Sequence, residues 1–132
     1  MSLVLVDTSA WIDFFRDGSS PYGAVVDALL QEDLVCTTGL VKAEILPGAR
    51  TRKEFSLLKE YFNVLPLLQD PDSMWDDVIY AQRKLKQKGI NGVGIPDLIV
   101  AVTAMKHEVK VFSKDRHFDS MKKNIGLKVF EP

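Results

Sequence analysis

The strongest constraint on the fold is a short apolar run that ends at a carboxylate. Residues 3–6 are all leucine or valine, and Asp7 follows them directly. Four apolar residues in succession are typical of a strand that is buried on both faces, as in a parallel sheet. Open α/β sheets bind their ligands at the carboxyl ends of such strands. Asp7 therefore marks a candidate site, although an aspartate here is equally consistent with a helix cap or a turn.

Strand patterns and helix patterns alternate along the rest of the chain. Further strands are predicted at residues 34–36, 110–113 and 127–130, with a brief extended piece at 64–67. Helices are predicted at 9–16, from 21, at 37–46, at 50–61, from 71, at 97–107 and at 115–122. This alternation predicts an α/β fold, namely an α/β/α sandwich around a central, mainly parallel sheet. The length of 132 residues suits a single domain over residues 1–132 and is too short for two ordinary ones.

Composition narrows the class of protein without naming a substrate. Seventeen Lys and Arg residues against 18 Asp and Glu residues give a net charge of −1, which neither favours nor excludes a nucleic-acid partner. The single cysteine, Cys36, excludes an internal disulfide and a multi-cysteine metal site. No segment has the pattern of a signal peptide or the ~20 apolar residues of a membrane span. We therefore expect a cytoplasmic protein without a membrane-spanning segment.

Four acidic residues occupy positions where a core or a strand end is expected. Asp7 ends the first strand, and Asp115 follows the strand at 110–113. Glu44 and Asp97 share helix faces with apolar residues, so both are expected to point inward. Simpler interpretations also exist, because Asp97 and Asp115 suit helix termini and Glu44 suits a pair with a nearby basic side chain.

These four acids are expected to converge, because two strand ends and two inward helix positions can meet at one edge of a sheet. Unpaired carboxylates in one pocket repel each other by on the order of a few kcal/mol per close pair at an intermediate dielectric constant. A cation is therefore needed to balance them. Oxygen donors without a Cys/His cluster indicate Mg²⁺ or Mn²⁺ rather than zinc.

Four segments of the chain together resemble the successive motifs of one protein family. They are VLVDTSAWI at residues 4–12, VKAEILPG at 41–48, IPDLIVAVTA at 95–104 and VFSKDRHF at 111–118. In this order they look like the motifs of PIN-domain ribonucleases, and most closely those of the VapC-type toxins of toxin–antitoxin pairs. Each motif alone is weak, but the four together cover essentially the whole chain.

The resemblance implies a metal site and a reaction. It implies that four acids bind the metal and carry the catalysis, namely Asp7, Glu44, Asp97 and Asp115. The hydroxyls of Ser9 and Ser113 would support this site on the substrate side. Lys114 and Arg116 are candidates for phosphate contacts. The implied reaction is the hydrolysis of single-stranded RNA with Mg²⁺ or Mn²⁺, which leaves a 5′-phosphate.

The resemblance also implies partners. A VapB-type antitoxin is expected to bind the chain, and a homodimer is expected from the family. Several apolar side chains either line a groove for an antitoxin helix or pack in the core, namely Trp11, Phe14, Phe15, Leu57 and Leu58.

Other functions are compatible with parts of this pattern. A metal-independent ribonuclease would use His117 or His107 as a base and would leave a 2′,3′-cyclic phosphate. A PIN nuclease with an RNA-processing role would share every motif with a toxin. A non-enzymatic domain would use the acids only to bind a metal or a partner. A dehalogenase-like phosphatase is disfavoured, because Ser9 stands where that chemistry needs a second aspartate.

Overall fold

The computed structural model describes residues 2–132 and alternates strands with helices. Its strands are β1 (Val4–Val6), β2 (Val35–Thr38), β3 (Leu67–Leu68) and β4 (Lys110–Phe112). Its α-helices are α1 (Thr8–Arg16), α2 (Pro21–Gln31), α3 (Gly39–Ile45), α4 (Arg52–Asn63), α5 (Met74–Gln87), α6 (Ile95–Lys106) and α7 (His117–Ile125). A 3₁₀ turn, Leu46–Gly48, follows α3.

The four strands form one sheet in the order β3-β2-β1-β4, with parallel pairing throughout residues 2–132. Val4 of β1 pairs with Val35 of β2 on one side and with Lys110 of β4 on the other. The chain builds the sheet outward from β1 to β3 and then returns across β1 to add β4. The winding direction therefore reverses between β1 and β4, where open α/β sheets leave a crevice at the strand ends. The predicted α/β fold with a mainly parallel sheet is confirmed.

The apolar run at the start of the chain lies at the centre of the core. Val4, Leu5 and Val6 are 3%, 0% and 0% exposed, so the strand is covered on both faces. Trp11 of α1 is fully buried beside it, and its ring centroid lies 4.8 Å from that of Phe62 in α4. Burial of a large aromatic side chain contributes on the order of 2–3 kcal/mol. This packing fixes α1, and with it the turn that carries Asp7.

Helix α6 is buried over most of its surface, as its continuous apolar sequence predicts. Its buried residues are Leu98 and every position from 100 to 104. Asp97 lies in its first turn, where a carboxylate is favoured by the helix dipole. Within residues 2–132, no helix combines the length and the apolar character needed to cross a membrane.

Strand β2 extends further than predicted. A helix is predicted from Thr37, but Thr37 and Thr38 are instead the buried last residues of β2. Thr37 pairs with β3, so the neighbouring strand keeps this segment extended. Thr38 then caps α3, because its Oγ1 accepts a hydrogen bond of 3.2 Å from the amide of Val41. The hydroxyl residues begin the helix as a cap rather than as its first turn.

The strand predicted at residues 127–130 is wrong as a full strand. Val129 forms an isolated parallel bridge with Val111, and the amide of Phe130 donates to the carbonyl of Val111 at 2.9 Å. Leu127 is 2% exposed, so its apolar character serves core packing rather than a ladder. The segment still covers the outer edge of β4, which reduces the number of unpaired backbone groups there.

The close crossing of α1 and α2 gives a prediction of stability. A Cβ added at Gly23 would lie 2.5 Å from the carbonyl oxygen of Asp17 and 3.2 Å from the Cα of Phe14. We expect Gly23→Ala to destabilise the fold by about 1–3 kcal/mol, because the helices must move apart. The midpoint of urea unfolding measures this. Gly39→Ala is the control, since its added Cβ meets no atom within 4 Å. Equal midpoints for the two variants would contradict this packing.

Candidate active site

The carboxyl ends of β1 and β4 bring the first residues of the site together. Asp7 follows β1 and caps α1, and its amide donates to the carbonyl of Phe112 at the end of β4 at 2.9 Å. Ser113 and Asp115 come directly after β4, and Asp97 begins α6. The site therefore lies in the crevice where the winding of the sheet reverses.

Asp7 is fixed by hydroxyl groups rather than by a basic side chain. It is 6% exposed, and its Oδ2 accepts hydrogen bonds from Ser9 Oγ at 3.0 Å and from Ser113 Oγ at 2.9 Å. The amide of Ser9 lies 3.4 Å from the same oxygen. Within residues 2–132, Oδ1 of Asp7 takes part in no hydrogen bond. One carboxylate oxygen thus anchors the side chain, and the other is open to a ligand.

The two serines also join the strand ends to each other. Their Oγ atoms lie 3.1 Å apart. Ser9 Oγ accepts from the amide of Lys114 at 3.0 Å, and Ser113 Oγ accepts from the amide of Asp115 at 3.0 Å. Since each hydroxyl has one proton and two lone pairs, these contacts orient both protons toward Asp7. Ser9 and Ser113 therefore position the acids of the site.

Asp97, Asp115 and His117 form a second group beside Asp7. Nδ1 of His117 lies 3.0 Å from Asp97 Oδ2 and 3.4 Å from Asp115 Oδ1. The amide of His117 donates to the same oxygen of Asp115 at 2.9 Å. One donor atom from each of the three residues lies within 4.8 Å of the others. The site therefore contains nitrogen as well as oxygen.

The charges of these groups perturb each other. Burial raises the pKa of Asp97, the hydrogen bond from His117 opposes this rise, and the charges of Asp115 and Asp7 add to it. The hydrogen bond to Asp97 raises the pKa of His117, and its partial burial opposes that change. The charges of Asp7 and Asp115 therefore act on the Asp97 carboxyl. The hydrogen bond from His117 therefore offsets only part of the cost of burying the ionised Asp97 carboxylate near other negative charges.

Glu44 differs from the sequence-based expectation of an inward position. Its side chain is exposed, although Val41 on the same helix is buried. Thr8 Oγ1 donates to Glu44 Oε1 at 2.8 Å, and Thr8 is the residue that follows Asp7. Glu44 is thus held at the solvent side of the site by a hydroxyl rather than by the basic partner considered above. The predicted inward position of Glu44 is wrong, because the last turn of α3, which carries Glu44, faces Thr8 at the open side of the site.

Lys114 and Arg116 occupy different environments. Nζ of Lys114 lies 3.1 Å from Asp13, so this ammonium already has a partner. Arg116 is exposed and makes no ion pair within residues 2–132. Both line a cavity of about 540 Å³ that also includes Ser113 and Asp115. Tyr22 and Phe130 also line this cavity.

Sequence reasoning missed two contacts of the site. Thr8 was not singled out, although hydroxyl residues follow Asp7 in the sequence. From the sequence, His117 is expected only as a candidate base, and the structure pairs its ring with Asp97. The sequence signal for His117 is its position two residues after Asp115, which places its side chain near that acid. By contrast, His107 caps α6 and bonds the carbonyl of Gln69 at 2.8 Å.

The donor set fits a divalent cation that prefers oxygen. Carboxylate oxygens of Asp97 and Asp115 lie within 4.8 Å of each other. Oδ1 of Asp7, whose charge raises the pKa of Asp97, takes part in no hydrogen bond within residues 2–132. Within residues 2–132, no lysine or arginine forms an ion pair with these acids, since Lys114 pairs with Asp13 and Lys122 with Glu131. The partly uncompensated charge of Asp97 is the physical reason to expect a cation here.

Comparison with known proteins identifies the family. The model of the PIN domain matches residues 4–124, which agrees with a parallel sheet that gathers acids at its carboxyl edge. Ribonuclease VapC21 of Mycobacterium tuberculosis is 30% identical over 80% of this chain and 83% of its own length. Ribonuclease VapC11 of the same organism is 28% identical over 89% and 90%. The chain therefore belongs to the PIN-domain family, among the VapC-type ribonucleases.

Solved structures agree on the fold. DNA-bound VapBC from Salmonella typhimurium superposes with a TM-score of 0.77 over 98% of both chains, at 16% identity. At this identity the likeness concerns the fold alone. It independently confirms the arrangement of sheet and helices.

The raised pKa of Asp97 gives a prediction for the metal-free protein. Ionisation of Asp97 is less favourable in the folded chain than in the unfolded chain, so stability is lost as the pH rises through the folded pKa. We expect Asp97→Asn in EDTA to raise Tm by a few degrees at neutral pH. This gain should fade in acid, where the native carboxyl is protonated. Calorimetry at several pH values measures it.

Asp27→Asn is the matched control, because Asp27 lies exposed on α2 and, among residues 2–132, its side chain bonds only Gln31. This variant should leave Tm nearly unchanged across the same pH range. A lower Tm for Asp97→Asn at neutral pH would show that the carboxylate is fully compensated without a cation.

Proposed function

We propose that this protein is a metal-dependent endoribonuclease and the toxin of a VapBC-type toxin–antitoxin pair. The observation that carries the proposal is the meeting of Asp97 and Asp115 beside a fixed Asp7 at the carboxyl edge of the sheet. Membership among VapC-type ribonucleases supports RNA as the substrate. Cleavage would leave a 5′-phosphate.

The acids would share the work of holding Mg²⁺ or Mn²⁺. Asp97 and Asp115 supply close oxygens, Asp7 presents its unbonded Oδ1, and Glu44 stands at the open side. When bound, the ion would lower the pKa of a water molecule and neutralise charge on the scissile phosphate. No side-chain base is then required.

The neighbouring residues would hold the acids and the RNA. Ser9 and Ser113 keep Asp7 in one orientation, which preserves the spacing that the reaction needs. Arg116 is placed to contact phosphate, and Lys114 would exchange Asp13 for phosphate when RNA binds. A nucleotide next to the cleaved bond would enter the cavity beside Asp115, where Tyr22 and Phe130 offer stacking surfaces.

An antitoxin segment would bind the groove between α1 and α4. Two of the apolar residues predicted for this role are less available to a partner, because Trp11 is buried in the core and Phe14 is half-buried. Phe15 and Leu57 are 44% and 57% exposed. With Leu58 and Tyr61 they line a groove of about 390 Å³. An amphipathic helix could place its apolar face there.

A homodimer would use a different surface. Trp75, Ile79 and Tyr80 are 64%, 59% and 69% exposed on α5. Trp75 and Ile79 are four residues apart and share one face of this helix, and Tyr80 lies at the edge of that face. An exposed patch of large apolar side chains is typical of an interface. We therefore assign self-association to this face of α5. We also assign the complex to the cytoplasm, because its proposed substrate RNA is available there.

The pair of His117 and Asp97 favours one alternative function. An imidazole held by a carboxylate at 3.0 Å is the arrangement of a general base. A metal-independent ribonuclease would use it to activate the 2′-hydroxyl and would leave a 2′,3′-cyclic phosphate. A nuclease with an RNA-processing role would instead lack a neighbouring antitoxin gene.

The main test replaces Asp7. We expect Asp7→Asn to cleave labelled single-stranded RNA at least about 100-fold more slowly, because the open ligand oxygen loses its charge. Asparagine retains the helix cap, so the circular dichroism spectrum should not change. Asp27→Asn should cleave at the wild-type rate.

The products decide between the mechanisms. EDTA should abolish cleavage by the wild type, and Mn²⁺ or Mg²⁺ should restore it with 5′-phosphate ends. Cleavage that persists in EDTA with cyclic phosphate ends would overturn the metal mechanism in favour of His117. An unchanged rate in Asp7→Asn would reject the assignment of the acids.

The two binding surfaces predict opposite effects of matched substitutions. We expect Leu57→Asp to weaken antitoxin binding at least about tenfold while self-association is kept, because a buried unpaired charge is unfavourable. Ile79→Asp, at nearly the same exposure, should lower the mass in light scattering and leave antitoxin binding intact. Calorimetry with the cognate antitoxin measures the affinity. Loss of both interactions in either variant would contradict separate surfaces.

A further inference from the structure

His117 places a nitrogen donor inside a site otherwise made of oxygens. We propose that His117 is a direct ligand of the divalent cation, so that the centre is mixed nitrogen and oxygen and selects Mn²⁺ over Mg²⁺. This proposal rests on the proposed metal site and adds a ligand and a metal preference to it.

The geometry of Nδ1 supports ligation. This atom lies 3.0 Å from Asp97 Oδ2 and 3.4 Å from Asp115 Oδ1. Adjacent ligands of an octahedral ion with bonds of ~2.1–2.2 Å are separated by about 3.0–3.1 Å. The donor atoms of all three residues lie within 4.8 Å of one another, so side-chain rotation can bring them around one cation, which would replace the proton that Nδ1 and Asp97 share.

The backbone fixes the position of His117 independently of its ring. His117 is the first residue of α7, and its amide donates to Asp115 Oδ1 at 2.9 Å. Phe118, the next residue, is 1% exposed and anchors the helix start in the core. The imidazole is thus presented to the acids by the same short turn that carries Asp115.

The chemistry of imidazole determines the metal preference. Mg²⁺ favours oxygen ligands and retains its waters, whereas Mn²⁺ lies in the transition series and accepts imidazole more readily. A centre made of carboxylates alone would gain less from choosing Mn²⁺. The nitrogen of His117 therefore discriminates between two ions that the acids by themselves would treat similarly.

The test uses the wild-type chain with Mn²⁺ and reads the nitrogen directly. Pulsed electron paramagnetic resonance of the Mn²⁺ complex should show coupling to an imidazole ¹⁴N. The chain has only two histidines, so the coupling should vanish in His117→Gln and persist in His107→Gln. His107 is the matched control because, within residues 2–132, it bonds the carbonyl of Gln69 and pairs with no carboxylate.

Binding titrations give the second readout. We expect His117→Gln to weaken Mn²⁺ binding at least about tenfold and to change Mg²⁺ binding by less than about threefold. His117→Asp should restore tight binding without nitrogen coupling and should shift the preference toward Mg²⁺. Circular dichroism checks that each variant is folded.

The outcomes separate this proposal from the proposed function. Mn²⁺ binding to the wild type without imidazole coupling, or with coupling that survives in His117→Gln, would overturn ligation by His117 and leave an acidic metal site. Failure of the wild type to bind Mn²⁺ or Mg²⁺ at all would reject the metal site itself.

Discussion

Mutual repulsion between carboxylates is the interaction on which this structure depends. Two carboxylates about 4 Å apart repel by ~4 kcal/mol at an effective dielectric constant of about 20. Asp7, Asp97 and Asp115 are nevertheless brought together by three different elements. The buried strand β1 and the buried helix α6 supply the opposing free energy, because both gain apolar burial only when packed in this arrangement. Burial of the core therefore offsets the repulsion within the site. The position of each acid follows from the packing of the element that carries it.

The topology explains why these elements and not others carry the acids. β1 and β4 are neighbours in the sheet but distant in sequence, and the connections after them leave in different directions. The crevice between those connections lies at the ends of both strands. Ser9 and Ser113 lie at the base of this crevice, where both hydroxyls donate to Asp7. The parallel sheet thus holds the strand ends in fixed positions, and the residues that follow those ends form the site.

Local sequence patterns are sufficient to predict the fold and the elements that carry some of the acids. The apolar run before Asp7 predicted a buried strand because its burial needs no knowledge of its neighbours. Strand ends and helix starts similarly placed Asp97 and Asp115. Contacts between elements cannot be predicted from local patterns, because they join residues that are distant in sequence. The hydrogen bond of Thr8 to Glu44 spans 36 residues, and that of His117 to Asp97 spans 20. Periodicity assigned Glu44 to an inward face because it describes a helix alone and not the crevice beside it.

The partners of the acids explain how such a site is stable yet open to a cation. Asp7 is held by two hydroxyls, Glu44 by one hydroxyl and Asp97 by an imidazole. A lysine or arginine in any of these places would carry a permanent charge and would compete with a metal ion. Hydroxyl donors orient a carboxylate oxygen without cancelling its charge. The imidazole can give up its proton and become a ligand itself. The choice of neutral or convertible partners therefore preserves the negative potential that a cation requires, while the hydrogen bonds hold the acids in place before it binds.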